Sequence, residues 1–240
     1  QFNPVAGQPV DYIAVAEFAG YSDDGLLQVI YQGGPKTILE VPYIGADLDD
    51  LLKYVGQRSP KHSGSFINNI SYGNFEVSAR LLYSFGNKFL NDAPPRSTLY
   101  NAQRFSNFFT FLPQLMVDRW QSPADNETAS MYGLGFRVAN YNATIANDYL
   151  AEYNTQKVLN AGQVRLQSIS LAYKLPNNAL GSLVKNARLM VQGRNLGPIF
   201  LANKEGIDPL FPKYSGALYA AYYNTIRSRP EFSVSLNVDL

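Results

Sequence analysis

Phe232-Ser-Val-Ser-Leu-Asn-Val-Asp-Leu240 alternates apolar and polar residues without a break. In an extended strand Phe232, Val234, Leu236, Val238 and Leu240 share one face, and Ser233, Ser235, Asn237 and Asp239 the other. A two-faced strand in this position predicts a sheet closed by the chain's own C-terminus. Outer-membrane barrels are built so, with one strand face on lipid and the other on a polar lumen. In a chain that is 46% hydrophobic, one such run arises by chance about once. Recurrence therefore decides the fold.

Four further segments read as strands of membrane-crossing length. Ser65–Tyr72 puts Phe66, Ile70 and Tyr72 on one face, with an Asn at Asn68, and is followed by a Gly73-Asn74 hairpin turn. Phe75–Gly86 sets Phe75, Val77, Ala79, Leu81, Tyr83 and Phe85 against Glu76, Ser78, Arg80 and Ser84, with Leu82 the exception. Gln163–Leu175 alternates from Ile169 to Leu175, but Val164 and Leu166 fall on the opposite parity. Either a bulge re-phases the strand there or its first half stands above the lipid. Ala187–Asn195 places Leu189 and Val191 opposite Arg188, Gln192 and Arg194.

The connections alternate in length. Gly73-Asn74 and Pro176–Asn186 are short, whereas Asn87–Gly162 and Leu196–Pro230 are long, and a third long stretch precedes Ser65. Bacterial outer-membrane barrels show this asymmetry, with short periplasmic turns and long extracellular loops. Arg80, Arg188, Arg194, Glu76 and Asp239 all sit on the polar phase, where a lumen would be. A basic side chain on the lipid face costs about 2–4 kcal/mol near the midplane. Tyr72, Phe75, Tyr83, Phe85, Tyr173 and Phe232 lie near strand ends on the apolar phase, as interfacial girdles require.

Composition is compatible and narrows the alternatives. The 240 residues carry 16% charged residues, a net charge of +1 and no Lys/Arg cluster, so nucleic acid has no electrostatic footprint. Aromatic content is 13%, and the absence of cysteine removes disulfides and thiolate metal sites. No apolar run reaches the length of a spanning helix, which leaves a barrel open. Gln-Phe-Asn-Pro at the N-terminus lacks signal-peptide regions, so the chain is expected to be mature or a piece of something longer.

Several stretches resemble motifs of SusC/RagA-like TonB-dependent transporters. Gly162–Pro176 (GQVRLQSISLAYKLP) looks like a strand of that family, and Ala187–Leu196 (ARLMVQGRNL) like the next one. Gly206-Ile-Asp-Pro209 resembles the Gly-x-Asp-Pro of the following outer loop, and Arg119-Trp-Gln-Ser-Pro123 an Arg-Trp motif in the preceding one. Asn3-Pro-Val-Ala-Gly-Gln-Pro9 and Ser59-Pro-Lys-His-Ser-Gly64 with Tyr72-Gly-Asn-Phe75 are similar to upstream segments. Asn3 stands for the family's usual Asp, and Leu240 for the aromatic common at barrel ends. The resemblance implies an all-β, antiparallel transmembrane barrel of about 22 strands, of which residues 1–240 would be the C-terminal section. The plug and the N-terminal barrel strands would lie elsewhere, in the same polypeptide or in a separate one, because five strands cannot close such a barrel. It further implies an outer-membrane location and import of oligosaccharides or peptides. The implied partners are a SusD-like lipoprotein lid, TonB through the absent plug, the remainder of the barrel and outer-membrane lipid. A scaffold subunit in an outer-membrane assembly or secretion complex, and a soluble carbohydrate-binding sandwich, are the alternatives.

Catalysis has little to build on. His62 reads as a loop residue beside Lys61, no nucleophile or phosphate-loop motif occurs, and neither enzyme activity nor a cofactor is expected. Asp47, Asp49 and Asp50 are Ca²⁺-type oxygen donors, yet Ala46–Val55 reads better as a short helix. Its acids then favour the N-terminal end, and Leu48, Leu51, Leu52 and Val55 pack inward. The sequons at Asn126 and Asn142 carry no weight for a bacterial surface protein. Phe105, Phe108, Phe109, Phe111 and Trp120 cluster in the longest loop, and Tyr214, Tyr219, Tyr222 and Tyr223 in the last. Exposed aromatics stack on sugars or anchor protein interfaces, or else pack loops together. Trp120, Tyr214, Tyr219, Tyr222 and Tyr223 are the candidate ligand or partner contacts, with Tyr219–Tyr223 first for the lid.

Overall fold

Every backbone N–H and C=O of an extended segment needs a partner, and period-two segments find theirs in one another. The computed structural model describes residues 6–42, 47–91, 118–129, 150, 153–176, 186–211 and 229–239, and is predominantly antiparallel β. In chain order the strands are β1 (Tyr12–Ala16), β2 (Phe18–Tyr21), β3 (Leu27–Tyr31), β4 (Gly34–Thr37), β5 (Leu52–Gln57), β6 (His62–Tyr72), β7 (Phe75–Phe85), β8 (Lys88–Leu90), β9 (Val158–Asn160), β10 (Gln163–Lys174), β11 (Asn186–Arg194), β12 (Pro198–Leu201) and β13 (Glu231–Asp239). The chain divides into two units. One holds Gln1–Arg58, Lys88–Leu159 and Pro212–Asn224, the other Ser59–Asn87, Asn160–Phe211 and Thr225–Leu240.

The second unit contains the five expected long strands, paired in the order β13-β11-β10-β7-β6 with β12 also on β10. β6 and β7 form a continuous hairpin from His62↔Phe85 to Tyr72↔Phe75. Gly73 closes it at φ 58°, the positive first position that two-residue hairpins favour. β6 begins three residues earlier than Ser65 because β7 offers three more rungs. His62 is therefore a strand residue opposite Phe85, not a loop histidine. β11 pairs with both β10 and β13, so the terminal strand docks on Ala187–Arg194 as its pattern requires. Leu240 lies outside the described residues.

The parity break in Gln163–Leu175 is a bulge. Leu166 faces Leu81 and Ser168 faces Arg80, so Gln167 is the extra residue. It brings Val164, Leu166, Ile169, Leu171 and Tyr173 onto one face with Tyr83, Leu81, Ala79, Val77 and Phe75. On the other side of β10, Ser168 faces Arg194 and Arg165 faces Pro198. Asn195, Leu196 and Gly197 therefore span the gap opposite Leu166 and Gln167, and β12 continues the track of β11. Asn195 at φ 54° and Gly197 at φ 91° make that detour. It is held by Asn195 N–H donating to the Gln167 carbonyl at 2.9 Å and Leu166 N–H to the Gly197 carbonyl at 3.0 Å. The Arg-Asn-Leu-Gly run is thus a backbone device, a paired bulge that bends two strands at one level.

The first unit occupies much of what the sequence presents as long connections. β1 pairs with β5, β2-β3-β4 form a three-stranded sheet, and β8 pairs with β9. β3 turns Leu27, Val29 and Tyr31 inward onto a core with Ala16, Tyr21, Ile38 and Leu51. The helix expected over Ala46–Val55 is only α1 (Leu48–Leu51), because Leu52–Gln57 is drawn into the ladder with β1. Leu51 is buried but Leu48 is exposed, contrary to its expected inward packing. The Asp47 carboxylate accepts from Asp49 N–H at 3.0 Å, and that of Asp50 from Gln32 N–H at 2.6 Å.

Lys157 ends a 3-10 turn (Thr155–Lys157) in this unit, and burial pushes its ammonium pKa down to about 8. The unfolded chain keeps that lysine near 10.5, so between about 8 and 10.5 the unfolded state binds more protons and stability rises with pH. Burial pushes the Tyr21 phenol up, which opposes this only above the ordinary tyrosine value of 10.0. The urea midpoint followed by Trp120 fluorescence should climb from pH 8 to 9.5, and Lys157→Met should flatten it. The bulge is tested by paired cysteines. Leu81→Cys with Leu166→Cys should oxidise to a disulfide, before and after deletion of Gln167, whereas Leu82→Cys with Leu166→Cys should not.

Candidate functional site on the polar face of the long sheet

The register assembles rows that cross all five long strands. Ile70, Val77, Leu171, Val191 and Val234 form one such row, and every member is exposed, from 38% for Val77 to 70% for Val234. The next rung, on the opposite face, reads Asn69, Ser78, Ser170, Gln192 and Ser233. A five-strand sheet thus carries an uncovered aliphatic face backed by a hydroxyl- and amide-bearing one.

Aromatic rings mark both ends of the aliphatic face. Phe75 and Tyr173 are 4.8 Å apart beside the hairpin turn, with Tyr72 opposite Phe75. Tyr83, Phe85 and Phe200 cluster at the other end with centroids 6.2 and 6.3 Å apart. Tyr83 lies across Gly64, where a β-carbon would come within 2.6 Å of its hydroxyl. Phe232 covers Gly193, its ring 3.2 Å from the β-carbon position. From Phe75 to Phe85 the strand rises ~34 Å, which at a ~40° tilt spans ~26 Å, matching a ~25 Å apolar band.

Charges stay on the polar face. Glu76 joins Lys174 at 2.7 Å and Arg188 at 2.7 Å, one cation on each oxygen of its carboxylate. Farther from the turn, two rungs, Ser63–Ser84–Gln163 and Ser65–Leu82–Arg165, floor an open concavity of about 490 Å³ walled by Leu210. Arg165 Nη1 donates to Gln163 Oε1 at 2.9 Å and to Asp208 Oδ1 at 2.8 Å. Asp208, 4% exposed, also accepts from Leu210 N–H at 3.1 Å. The Gly206-Ile-Asp-Pro209 motif is thereby a docking element, turned by Gly206 at φ 64° so that its aspartate meets β10.

Asn203 completes that docking. Its side-chain amide donates to the Ile207 carbonyl at 2.8 Å and accepts from Ile207 N–H at 2.9 Å. Nothing in the sequence pattern singles out Asn203, Gln163 or Arg165 as a group, because the contact that ties the loop to the strand, Arg165 to Asp208, joins residues 43 apart. The other docked motif is Arg119–Pro123. Trp120 is half-buried against the core of the first unit, over Gly25, where a β-carbon would stand 2.3 Å from its ring. Its indole N–H donates to Asn126 Oδ1 at 2.6 Å, and Asn126 Nδ2 donates to Asp23 at 2.9 Å. The Asp125 carboxyl is held below the usual carboxylate range by the Gln121 and Ser122 N–H groups. Tyr214, Tyr219, Tyr222 and Tyr223, with Phe105, Phe108, Phe109, Phe111 and Asn142, lie outside the described residues.

Asn203→Ala should strip Ile207 of both partners. Each buried backbone group left unpaired costs about 1–3 kcal/mol. Hydrogen exchange of peptides covering 202–211 should accelerate at least tenfold, while peptides of β11 stay unchanged.

No family model matches the chain. A curated relative, the TonB-dependent receptor P3 of Formosa agariphila, is 26% identical over 215 residues, covering 82% of this chain and 18% of that protein. Among solved structures, the RagAB peptide importer in its "open-open" state matches with a TM-score of 0.52 at 20% identity, over 82% of this chain and 19% of that one. A second structure, of the RagAB peptide transporter, gives a TM-score of 0.52 at 20% identity and covers 20% of its chain. The chain spans about a fifth of the length of the relatives it matches. In sequence motifs and in antiparallel fold, it resembles the SusC/RagA-like TonB-dependent transporters.

Proposed function

We propose that residues 1–240 form the C-terminal barrel section of a TonB-dependent outer-membrane importer. The observation that carries this reading is the exposed aliphatic row Ile70–Val77–Leu171–Val191–Val234, backed rung for rung by polar residues. A sheet in water hides such a row, whereas a barrel strand presents it to hydrocarbon and turns its polar face to a lumen. The paired aromatic ends, a band height near that of an outer membrane and the confinement of Glu76, Lys174 and Arg188 to one face support the same assignment. The relative named as a TonB-dependent receptor supports energisation through TonB, acting on a plug carried elsewhere in the protein.

The imported cargo is a peptide or an oligosaccharide, captured with a SusD-like lipoprotein lid. The RagAB peptide importer, whose fold this chain shares, supports that pairing. Trp120 and Tyr214, Tyr219, Tyr222 and Tyr223 are the proposed lid or cargo contacts, with Tyr219–Tyr223 foremost. No catalytic step and no metal is assigned. The protein's role is to enclose and pass cargo.

Leu171→Arg should cost about 2–4 kcal/mol of barrel stability near the midplane. Ser170→Arg, one residue away on the polar face, should be tolerated. Heat-modifiable mobility of the protein from outer-membrane fractions reads the difference, and equal behaviour of the two variants would sink the barrel assignment. Affinity purification from the same fractions identifies the partners. Recovery of a surface lipoprotein supports import, and recovery of secretion or assembly proteins instead assigns the scaffold role.

A further inference from the structure

We propose that the concavity floored by Ser63–Ser84–Gln163 and Ser65–Leu82–Arg165 is a subsite for a carboxylate group of the cargo. This deepens the importer reading and rests on it. The Arg165 guanidinium is a rigid fork of five N–H donors. Its Nη1 is committed to Gln163 and Asp208, which fixes the plane of the group and leaves Nη2 and Nε for another acceptor. Two parallel N–H groups match the two oxygens of a carboxylate. Asp208 holds the fork in place from the loop side, so the group is preorganised rather than recruited.

The neighbouring hydroxyls point to the same ligand. Those of Ser63, Ser65 and Ser84 have no hydrogen-bond partner among the described residues, and all three line the concavity. They supply donors around an anion held by the fork. Asp208 already offsets the charge of Arg165, so the concavity has no surplus charge for a phosphate or sulfate and holds a ligand through its N–H and O–H donors. A volume of about 490 Å³ takes one or two residues of a chain, so a terminal or side-chain carboxylate fits better than a whole oligomer. Peptide ends and uronic acids share this chemistry.

Calorimetric titration of the complete transporter in detergent tests the assignment with matched probes. Trialanine is compared with its C-terminal amide, and trigalacturonate with its methyl ester. The acid should bind at least tenfold more tightly than its neutral partner in one pair, and Arg165→Gln should bring the two members of that pair to equal affinity. Preference confined to trialanine makes the source a peptide; preference confined to trigalacturonate makes it an acidic glycan. Equal affinities within both pairs, no measurable binding of either acid, or a preference that survives Arg165→Gln would overturn the subsite. Should Arg165→Gln fail to fold, the double variant Ser65→Ala, Ser84→Ala leaves the ion pair intact and should still cut the preference threefold or more. Heat-modifiable mobility is scored on the same wild-type sample. A folded barrel without carboxylate preference sinks the subsite alone, whereas failure to form a membrane barrel sinks the importer reading itself.

Discussion

Cross-strand register is the constraint on which the rest depends. With a side-chain period of two, a slip of one residue would exchange the aliphatic and polar faces of a whole strand. The pairing of β7 with β10 resists this by spending Gln167 on a bulge rather than carrying the phase error through. The opposing detour at Asn195–Gly197 absorbs the same misfit from the other side. Because register is kept, Glu76 meets two cations from two strands, and Arg165 stands on the same rung as Ser65.

What was legible in the sequence follows from how local each signal is. Phe75–Phe85, Asn186–Arg194 and Glu231–Asp239 announce themselves because alternation needs only neighbouring residues. The change of parity between Leu166 and Ile169 is legible too, but it fits a bulge or a strand end above the lipid alike until β7 lies beside it. The start of β6 was less so, since Ser63 and Gly64 give no alternation and are strand only because β7 reaches them. Ala46–Val55 carries a mixed signal, and only Leu48–Leu51 of it is helix. Its leucines fit a helical period, but Tyr54 and Val55 suit a ladder, and β1 supplies one. The short strands of the first unit are not legible because three to six residues cannot establish a period against chance.

Motif resemblance carried information that periodicity did not, yet it named positions without their purpose. In the structure the Asp208 carboxylate fastens a loop to β10, and Asn195 with Gly197 shapes a bulge. Trp120 plugs the space above Gly25, with Asn126 holding its indole. Each is a point where distant segments must meet at fixed geometry. The concavity at Ser63, Ser84 and Arg165 cannot be found this way. Its serines are unremarkable one by one and gain meaning only when β6, β7 and β10 lie side by side.

The β7–β10 pairing also sets an order of events during folding. β6 and β7 are joined by two residues and zip from a local turn, but residues 86–162 separate β7 from β10. Closing that loop costs roughly 3 kcal/mol more chain entropy than closing the hairpin. The ladder of β8 on β9, which sets Lys88–Leu90 beside Val158–Asn160, would draw the two ends together in advance. The inserted segment would then act as an intramolecular assembly aid, and the rate at which the long sheet forms would be governed by a part of the chain that never enters it.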